Sequence, residues 1–164
     1  MSVAIAIQAP AAPSPVAAFA LDALRDALRQ AGYRLDQRPA DLTLRLARRG
    51  AEALSADEEA ALPTASESYA LRRDGQGLTL LGTDDRGLLY ACLDVAEQLD
   101  LGRDLDHLTL RVAQPELRVR GLYTFLHNAE AERGWLYDPA YWRDYAAMLA
   151  RCRFNRFNLI YGHQ

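Results

Sequence analysis

The sequence contains no lysine, so all 19 of its basic residues are arginine. Schiff-base catalysis and a lysine-containing phosphate loop are therefore excluded within this chain. Long runs of a single charge are also missing, and the net charge is −3, so we expect no nucleic acid partner. No apolar run reaches the length of a membrane-spanning helix, so we expect no membrane partner.

Several chemical signatures are missing as well. The chain has no Gly-x-Ser-x-Gly, no His-Glu-x-x-His and no Cys/His cluster with zinc spacing, so neither a metal nor another cofactor is expected. Its two cysteines, Cys92 and Cys152, fall in predicted helices, which favours two buried free thiols. No basic region precedes the short apolar stretch at the N-terminus, which favours a cytoplasmic protein without a signal peptide.

Residues 1–114 show alternating strand and helix patterns. The segment Asp74-Gly75-Gln76-Gly77 between two apolar runs indicates a β-hairpin, and Ser14-Pro15 is a typical helix start. Strands are predicted over residues 3–8, 42–46, 68–73, 78–81 and 107–112, helices over 14–31 and 84–100, and a short helix or turn over 55–62. This order predicts an α+β domain with a small, antiparallel-rich sheet and helices on one face.

Residues 115–164 predict a strand, a helix and a second strand. Arg118 to Leu126 is rich in β-formers, Asp138-Pro139 is a helix start, and Phe157 to Tyr161 is a short apolar run. A strand, helix and strand of this length form a βαβ unit with parallel strands. Because such a unit cannot bury both faces of its strands alone, we expect it to be part of a larger parallel structure.

The order of these segments resembles a known architecture. The segment GTDDRGLLYACLDVAEQ (82–98) and the preceding hairpin are similar to the small domain that precedes the barrel in β-N-acetylhexosaminidases of glycoside hydrolase family 20 and α-glucuronidases of family 67. Pro115 and Arg118 to Gly121 match the entry to the first barrel strand of these enzymes. Asn155-Arg156-Phe157-Asn158 matches the entry to the second. The resemblance implies residues 1–114 as the small domain and 115–164 as the first βαβ unit of a partial (β/α)8 barrel.

The same resemblance implies a function. It suggests the N-terminal portion of a glycosidase that acts on β-N-acetylhexosaminides or α-glucuronides, with a carbohydrate substrate. After the first strand this chain has Phe125-Leu126-His127-Asn128 where hexosaminidases carry an Asp-x-x-Arg segment, so both substrate classes stay open. The catalytic carboxylates of these families lie on later barrel strands, and we therefore expect the 164 residues alone to be inactive.

Four residues are candidate substrate-binding groups. Arg120 matches an arginine of hexosaminidases that contacts sugar hydroxyls, and a guanidinium can grip two oxygens at once. His127, Asn128 and His163 follow the two predicted strands, and the carboxyl ends of strands form the active-site face of (β/α)8 barrels. For Glu130 and Glu132 we favour surface charge over catalysis, and for Trp135 and Tyr137 we favour packing over sugar stacking.

Two alternatives remain open. The chain could be a complete non-catalytic α/β module that binds a glycan or a protein, in which case the last helix and strand must be covered. It could also be a small enzyme that uses His127 or His163 as a base, although no orienting partner is evident in the sequence. If the βαβ unit is exposed, self-association through its unpaired edge is expected.

Overall fold

The computed structural model describes residues 3–35, 39–50, 54–75, 77–127 and 130–162. The chain divides into two units, Met1–Pro115 and Glu116–Gln164. The sequence interpretation of these parts, as a small glycosidase domain and the start of a barrel, stays a prediction.

Two capped helices form one layer of the first unit. Helix α1 (Pro15–Gln30) starts after Ser14, whose hydroxyl accepts a hydrogen bond from the Ala17 N–H at 3.2 Å. Helix α3 (Asp85–Asp100) starts after Asp84, whose carboxylate accepts from the Gly87 N–H at 2.8 Å. Each cap satisfies a backbone donor that the first turn of a helix leaves unpaired. The two helices pack against each other on one face of the sheet.

The sheet of the first unit has six described strands in the order β2-β1-β3-β5-β4-β6. Their ranges are β1 (Ala4–Gln8), β2 (Arg34–Leu35), β3 (Leu42–Arg48), β4 (Tyr69–Asp74), β5 (Gly77–Gly82) and β6 (Val112–Ala113). Strand β1 pairs in parallel with β2 and β3, and β3 pairs in parallel with β5. Strand β4 pairs antiparallel with β5 and β6.

The predicted α+β class with a following βαβ unit is confirmed, and α1 and α3 share one face of the sheet, but three details were wrong. Three of the five described pairings in the sheet are parallel, because β1 and β3 flank a helical crossover and the β4–β5 hairpin inserts with β5 beside β3. The short strand β2 was missed. The strand predicted over 107–112 is shorter: His107 ends a 3-10 turn (Leu105–His107) that Asp104 caps, residues 108–111 form no regular element, and the strand covers only Val112–Ala113.

The main core lies between the sheet and the two helices. Its most deeply buried side chains are each no more than 1% exposed: Ile5, Leu24, Leu28, Leu44, Leu78, Leu80, Leu88, Cys92 and Val95. A second, smaller cluster lies on the opposite face and joins Ala47, Ala70 and Leu81 to Leu62. Leu62 follows the short helix α2 (Ala56–Ala61), which starts with the predicted capping box of Ser55 and Glu58. The rest of that face is polar.

The second unit is a strand-helix-strand unit with parallel strands, as predicted. Strand β7 (Gly121–Leu126) pairs in parallel with β8 (Arg156–Tyr161). Helix α5 (Pro139–Arg151) connects them and starts at Asp138, whose carboxylate accepts from the Ala140 N–H at 2.8 Å. A short helix, α4 (Arg133–Leu136), precedes it and was missed in the sequence.

Candidate functional site

The parallel pair of β7 and β8 has two unlike faces. Leu122 lies beside Phe157 and Thr124 beside Leu159, so these four side chains share one face. Helix α5 covers this face with aromatic rings: Trp142 and Tyr145 lie with their ring centroids 5.8 and 5.3 Å from that of Phe157. The helix therefore covers one face of the strand pair and leaves the other to be covered by something else.

The opposite face is apolar and exposed. Tyr123 lies beside Asn158 and Phe125 beside Ile160, and alternation along the strands places all four away from α5. Tyr123 is 70% exposed, and Phe125 and Ile160 are each 40% exposed. Parallel sheets are normally buried on both faces, so an exposed apolar face on a parallel pair indicates a surface built to be covered.

His127 lies at the carboxyl end of β7. Its ring centroid is 4.6 Å from that of Phe125, with the planes tilted by 45°. This contact places the imidazole at the carboxyl edge of the exposed apolar face. The side chain of His127 is exposed, so a ligand could reach it there.

Arg120 lies at the other end of β7, immediately before the strand begins. Its Nε donates to the Arg153 carbonyl at 2.7 Å, and its Nη1 donates to the Leu117 carbonyl at 2.6 Å. The side chain is half-buried. A six-residue strand is about 20 Å long, so Arg120 and His127 lie at opposite ends of it. The predicted contact between Arg120 and a sugar is untested, and these bonds tie its guanidinium to the backbone.

Asn155, which was identified from the sequence only as part of the motif that enters the second strand, is a positioning residue. Its Oδ1 accepts from the Arg120 N–H at 2.9 Å, and its Nδ2 donates to the Arg118 carbonyl at 2.9 Å. The amide therefore joins the entrance of β8 to the entrance of β7 and sets their register. A polar amide directly before a short apolar strand is the sequence signal that could have revealed this role.

The remaining candidates follow β7 or β8 in the sequence. Asn128 and His163, which were predicted to bind substrate, lie outside the described residues. Glu130 pairs with Arg133 at 3.5 Å on the surface, in agreement with the surface-charge interpretation. The Trp135 ring packs against Tyr141 and Trp142 with centroids 5.3 and 5.6 Å apart, whereas Tyr137 is exposed.

The thiols differ from expectation in one case. Cys92 is buried in α3 as predicted, and burial raises the pKa of its thiol to about 12. The prediction that Cys152 is buried was wrong, because this residue is the C-cap of α5 and is exposed.

In the part of the chain that the structure describes, no group of three or more His, Cys, Asp or Glu residues could hold a metal ion. No helix within the same residues has the length and apolarity to cross a membrane.

No model of a protein family matches this chain, and no curated protein matches its sequence. Solved structures do match. A GH138 enzyme targeting pectin rhamnogalacturonan II superposes with a TM-score of 0.73 and 22% identity, over 98% of this chain and 24% of its own. A GH115 4-O-methyl-α-glucuronidase with specificity for decorated arabinogalactans superposes with a TM-score of 0.69 and 16% identity, over 96% of this chain and 25% of its own. A Streptomyces plicatus β-hexosaminidase superposes with a TM-score of 0.53 and 20% identity, over 96% of this chain and 30% of its own.

These comparisons define a class of fold. The chain has the fold of a portion of glycoside hydrolases, and it spans about a quarter of the length of the first two structures. The predicted resemblance is confirmed at this level, with family 20 among the matches and an α-glucuronidase represented by family GH115.

Proposed function

We propose that this chain is the N-terminal portion of a glycoside hydrolase. In this proposal residues 1–114 form the small α/β domain, and residues 115–164 form the first βαβ unit of a (β/α)8 barrel. The single observation that carries it is the exposed apolar face of Tyr123, Phe125 and Ile160 on a parallel strand pair. The interior of a (β/α)8 barrel is filled by such side chains from neighbouring strands, so further strands would bury this face.

The proposal gives His127 a place in the active site. Catalytic and binding residues of (β/α)8 enzymes lie at the carboxyl ends of the strands, and His127 stands at the carboxyl end of β7 on the uncovered face. A neutral imidazole can both donate and accept a hydrogen bond, which suits a sugar hydroxyl. Asn128 and His163, which follow β7 and β8 in sequence, are proposed as substrate-binding residues by the same rule.

The contacts of Arg120 support a different role for that residue. It stands at the amino end of β7, and in a barrel that end belongs to the face that contributes to stability. Its bonds to the carbonyls of Leu117 and Arg153 support a positioning role. If Arg120 nevertheless contacts sugar, its conservative substitution by lysine would raise KM in the longer protein without lowering its stability.

The proposed substrates are α-glucuronides or β-N-acetylhexosaminides. An α-glucuronidase and a β-hexosaminidase both have this fold, and the TM-score of 0.69 against 0.53 favours testing α-glucuronides first. Family 20 enzymes are a substrate-assisted exception, but most glycoside hydrolases use a pair of carboxyl groups at a defined separation. We propose that these come from later strands, and that the 164-residue chain alone is inactive.

The test begins with the gene. Sequencing past the codon for Gln164 should show a frame that continues through further strand-helix repeats, and a stop codon there would favour the alternative of a non-catalytic binding module. The longer protein should then hydrolyse a member of an aryl-glycoside panel that includes an α-glucuronide and a β-N-acetylglucosaminide. The 164-residue chain should hydrolyse none, and robust turnover by it would contradict the proposal.

A histidine pair provides the matched control. In the longer protein, His127→Ala should lower kcat/KM by about tenfold or more, because a hydrogen bond to the substrate is lost in the transition state. His107→Ala changes an exposed histidine of the first unit and should leave kcat/KM unchanged. Equal activity of the two variants would show that His127 does not contact the substrate.

A further inference from the structure

A polar groove lies in the first unit, on the sheet face opposite α1 and α3. It consists of two adjoining cavities of about 310 and 340 Å³, which share Arg45, Asp74 and Thr79 as lining residues. Helix α2 and the apolar cluster around Leu62 close one end of this face. The remaining part is open to solvent.

The floor of the groove is a regular array of side chains. Gln8, Arg45, Thr79 and Arg72 are direct neighbours across β1, β3, β5 and β4. The adjacent row on the same face consists of small or short side chains: Ala6, Thr43, Gly77 and Asp74. At about 4.8 Å per strand, four strands give a floor about 14 Å wide. The array is therefore an extended platform with hydrogen-bonding groups at regular spacing.

Both cations of this array have partners. The guanidinium of Arg45 is ion-paired with Glu58, and Nη1 of Arg72 donates to the Asp57 carbonyl at 3.1 Å, so both cations are fixed at the groove wall. Thr79 is only 3% exposed and lines both cavities. Its hydroxyl can both donate and accept a hydrogen bond, so it is a group that a ligand in the groove could bond.

The charge of the lining limits the chemistry of the ligand. Arg45 and Arg72 are outnumbered by acids along the two cavities: Asp41, Asp57, Glu58 and Asp74. An anionic ligand would therefore be repelled, and the cations are already balanced. The lining offers donors and acceptors side by side, which matches groups that both donate and accept, and hydroxyls are such groups.

We propose that this groove binds a neutral saccharide across the face of the sheet. A peptide that adds as a strand needs free backbone groups at a sheet edge, whereas β1, β3, β5 and β4 are hydrogen-bonded to one another across this floor. The site goes beyond the proposed glycosidase function and does not depend on it. No aromatic ring lines the groove in the part of the chain described, so binding is weak, with a Kd of about 1 mM.

The test is an NMR titration of the ¹⁵N-labelled 164-residue chain. Xylohexaose and cellohexaose are the neutral probes, and trigalacturonate is the anionic comparison, each added up to about 10 mM. We expect saturating shifts of the backbone amides of Thr43, Arg45 and Thr79 with at least one neutral probe, and a weaker response to trigalacturonate.

Matched variants decide whether the groove is responsible. Thr79→Val keeps the shape of the side chain and should weaken binding about fivefold. Asp74→Asn changes an exposed side chain, keeps the fold and should weaken saccharide binding about threefold. Thr124→Val is the control in the second unit and should bind as the native chain does.

Three results would overturn the proposal. The first is no shift of the groove amides with either neutral hexasaccharide. The second is tighter binding of trigalacturonate than of both neutral probes. The third is unchanged affinity of the folded Thr79→Val and Asp74→Asn variants. None of these results bears on glycosidase activity, which is measured on the longer protein, so the two proposals fail separately.

Discussion

The two units use similar residues with opposite results. In the first, Leu24, Leu28 and Leu80 are fully buried between a mixed sheet and two helices. In the second, Leu126 and Leu149 are the only buried hydrophobic residues among those described, and Tyr123 and Phe125 face solvent. The difference is one of topology, because a parallel strand pair with a single helix has only one covered face. The first unit therefore has a buried core of its own, whereas one face of the strand pair in the second unit is exposed.

Local structure does not distinguish the units. Helices α1, α3 and α5 all start with a side-chain cap, from Ser14, Asp84 and Asp138. Caps contribute about 1 kcal/mol each and depend only on neighbours in sequence. The contrast therefore resides in long-range packing, and experiments that report on packing should separate the two units.

Thiol reactivity should show the largest difference. Cys92 is buried, and its pKa is raised to about 12, whereas Cys152 is exposed at the end of α5. Labelling of Cys92 requires opening of the first unit, so Cys152 should react with a thiol reagent such as DTNB about 10³-fold faster or more. Rates are read from the single variants Cys92→Ala and Cys152→Ala, and similar rates would show that the first unit is not closed.

Truncation of matched apolar side chains should show the next largest effect. Leu80→Ala removes a fully buried side chain from the first unit and should lower the free energy of unfolding by about 3 kcal/mol. Ile160→Ala changes a side chain that is 40% exposed and should cost less than about 1 kcal/mol. Urea denaturation of each variant measures the change. Equal costs would mean that the face of β7 and β8 is already covered, for example by a second copy of the chain.

The sequence predicted what depends on neighbours along the chain. The hairpin of β4 and β5, the caps and the capping box of Ser55 all follow from local chemistry. The parallel pairing of β3 with β5 could not be predicted, because it depends on where the hairpin inserts in the sheet. Most pairings of the first sheet therefore differ from the antiparallel-rich expectation.

The candidate site divides in the same way. The location of His127 at a strand end could be predicted, since it follows directly from the strand pattern. The carbonyl contacts of Arg120 could not, because Arg153 is 33 residues away and meets it only after β8 pairs with β7. The polar groove was also missed, since its row of Gln8, Arg45, Thr79 and Arg72 joins four strands that are distant in sequence.

Glycine substitution should give an intermediate contrast. A Cβ at Gly87 of α3 would lie 2.1 Å from the Ser68 carbonyl oxygen, a backbone atom that cannot move freely. Gly87→Ala should therefore lower the free energy of unfolding by about 2 kcal/mol or more. Gly134 of α4 has nothing within 4 Å, so Gly134→Ala should be neutral or stabilise by up to about 1 kcal/mol. Thermal melts of the two variants measure the contrast, and a neutral Gly87→Ala would show that α3 can move away from Ser68.

The smallest effect concerns two ion pairs and depends on pH. Burial alone would raise the pKa of Glu58, but the hydrogen bond from the Ser55 N–H and the interactions with Arg45 outweigh it and hold the pKa below its ordinary value. A carboxyl with a lowered folded pKa stabilises the protein fully above its unfolded pKa of about 4.3, and this stability is lost as the pH falls through the folded value.

Glu58→Gln should therefore cost about 1.5 kcal/mol at pH 7, because the charged hydrogen bonds are lost, and less as the pH falls below about 4. Glu130→Gln is the matched control in the second unit, where the pair with Arg133 is exposed and contributes a few tenths of a kcal/mol at most. Urea denaturation at pH 7, 5 and 3.5 measures both. If the loss of stability in Glu58→Gln does not change with pH, the carboxyl acts through packing rather than through its charge. A large loss of stability in Glu130→Gln would mean that the loop after β7 is more enclosed than its exposure indicates.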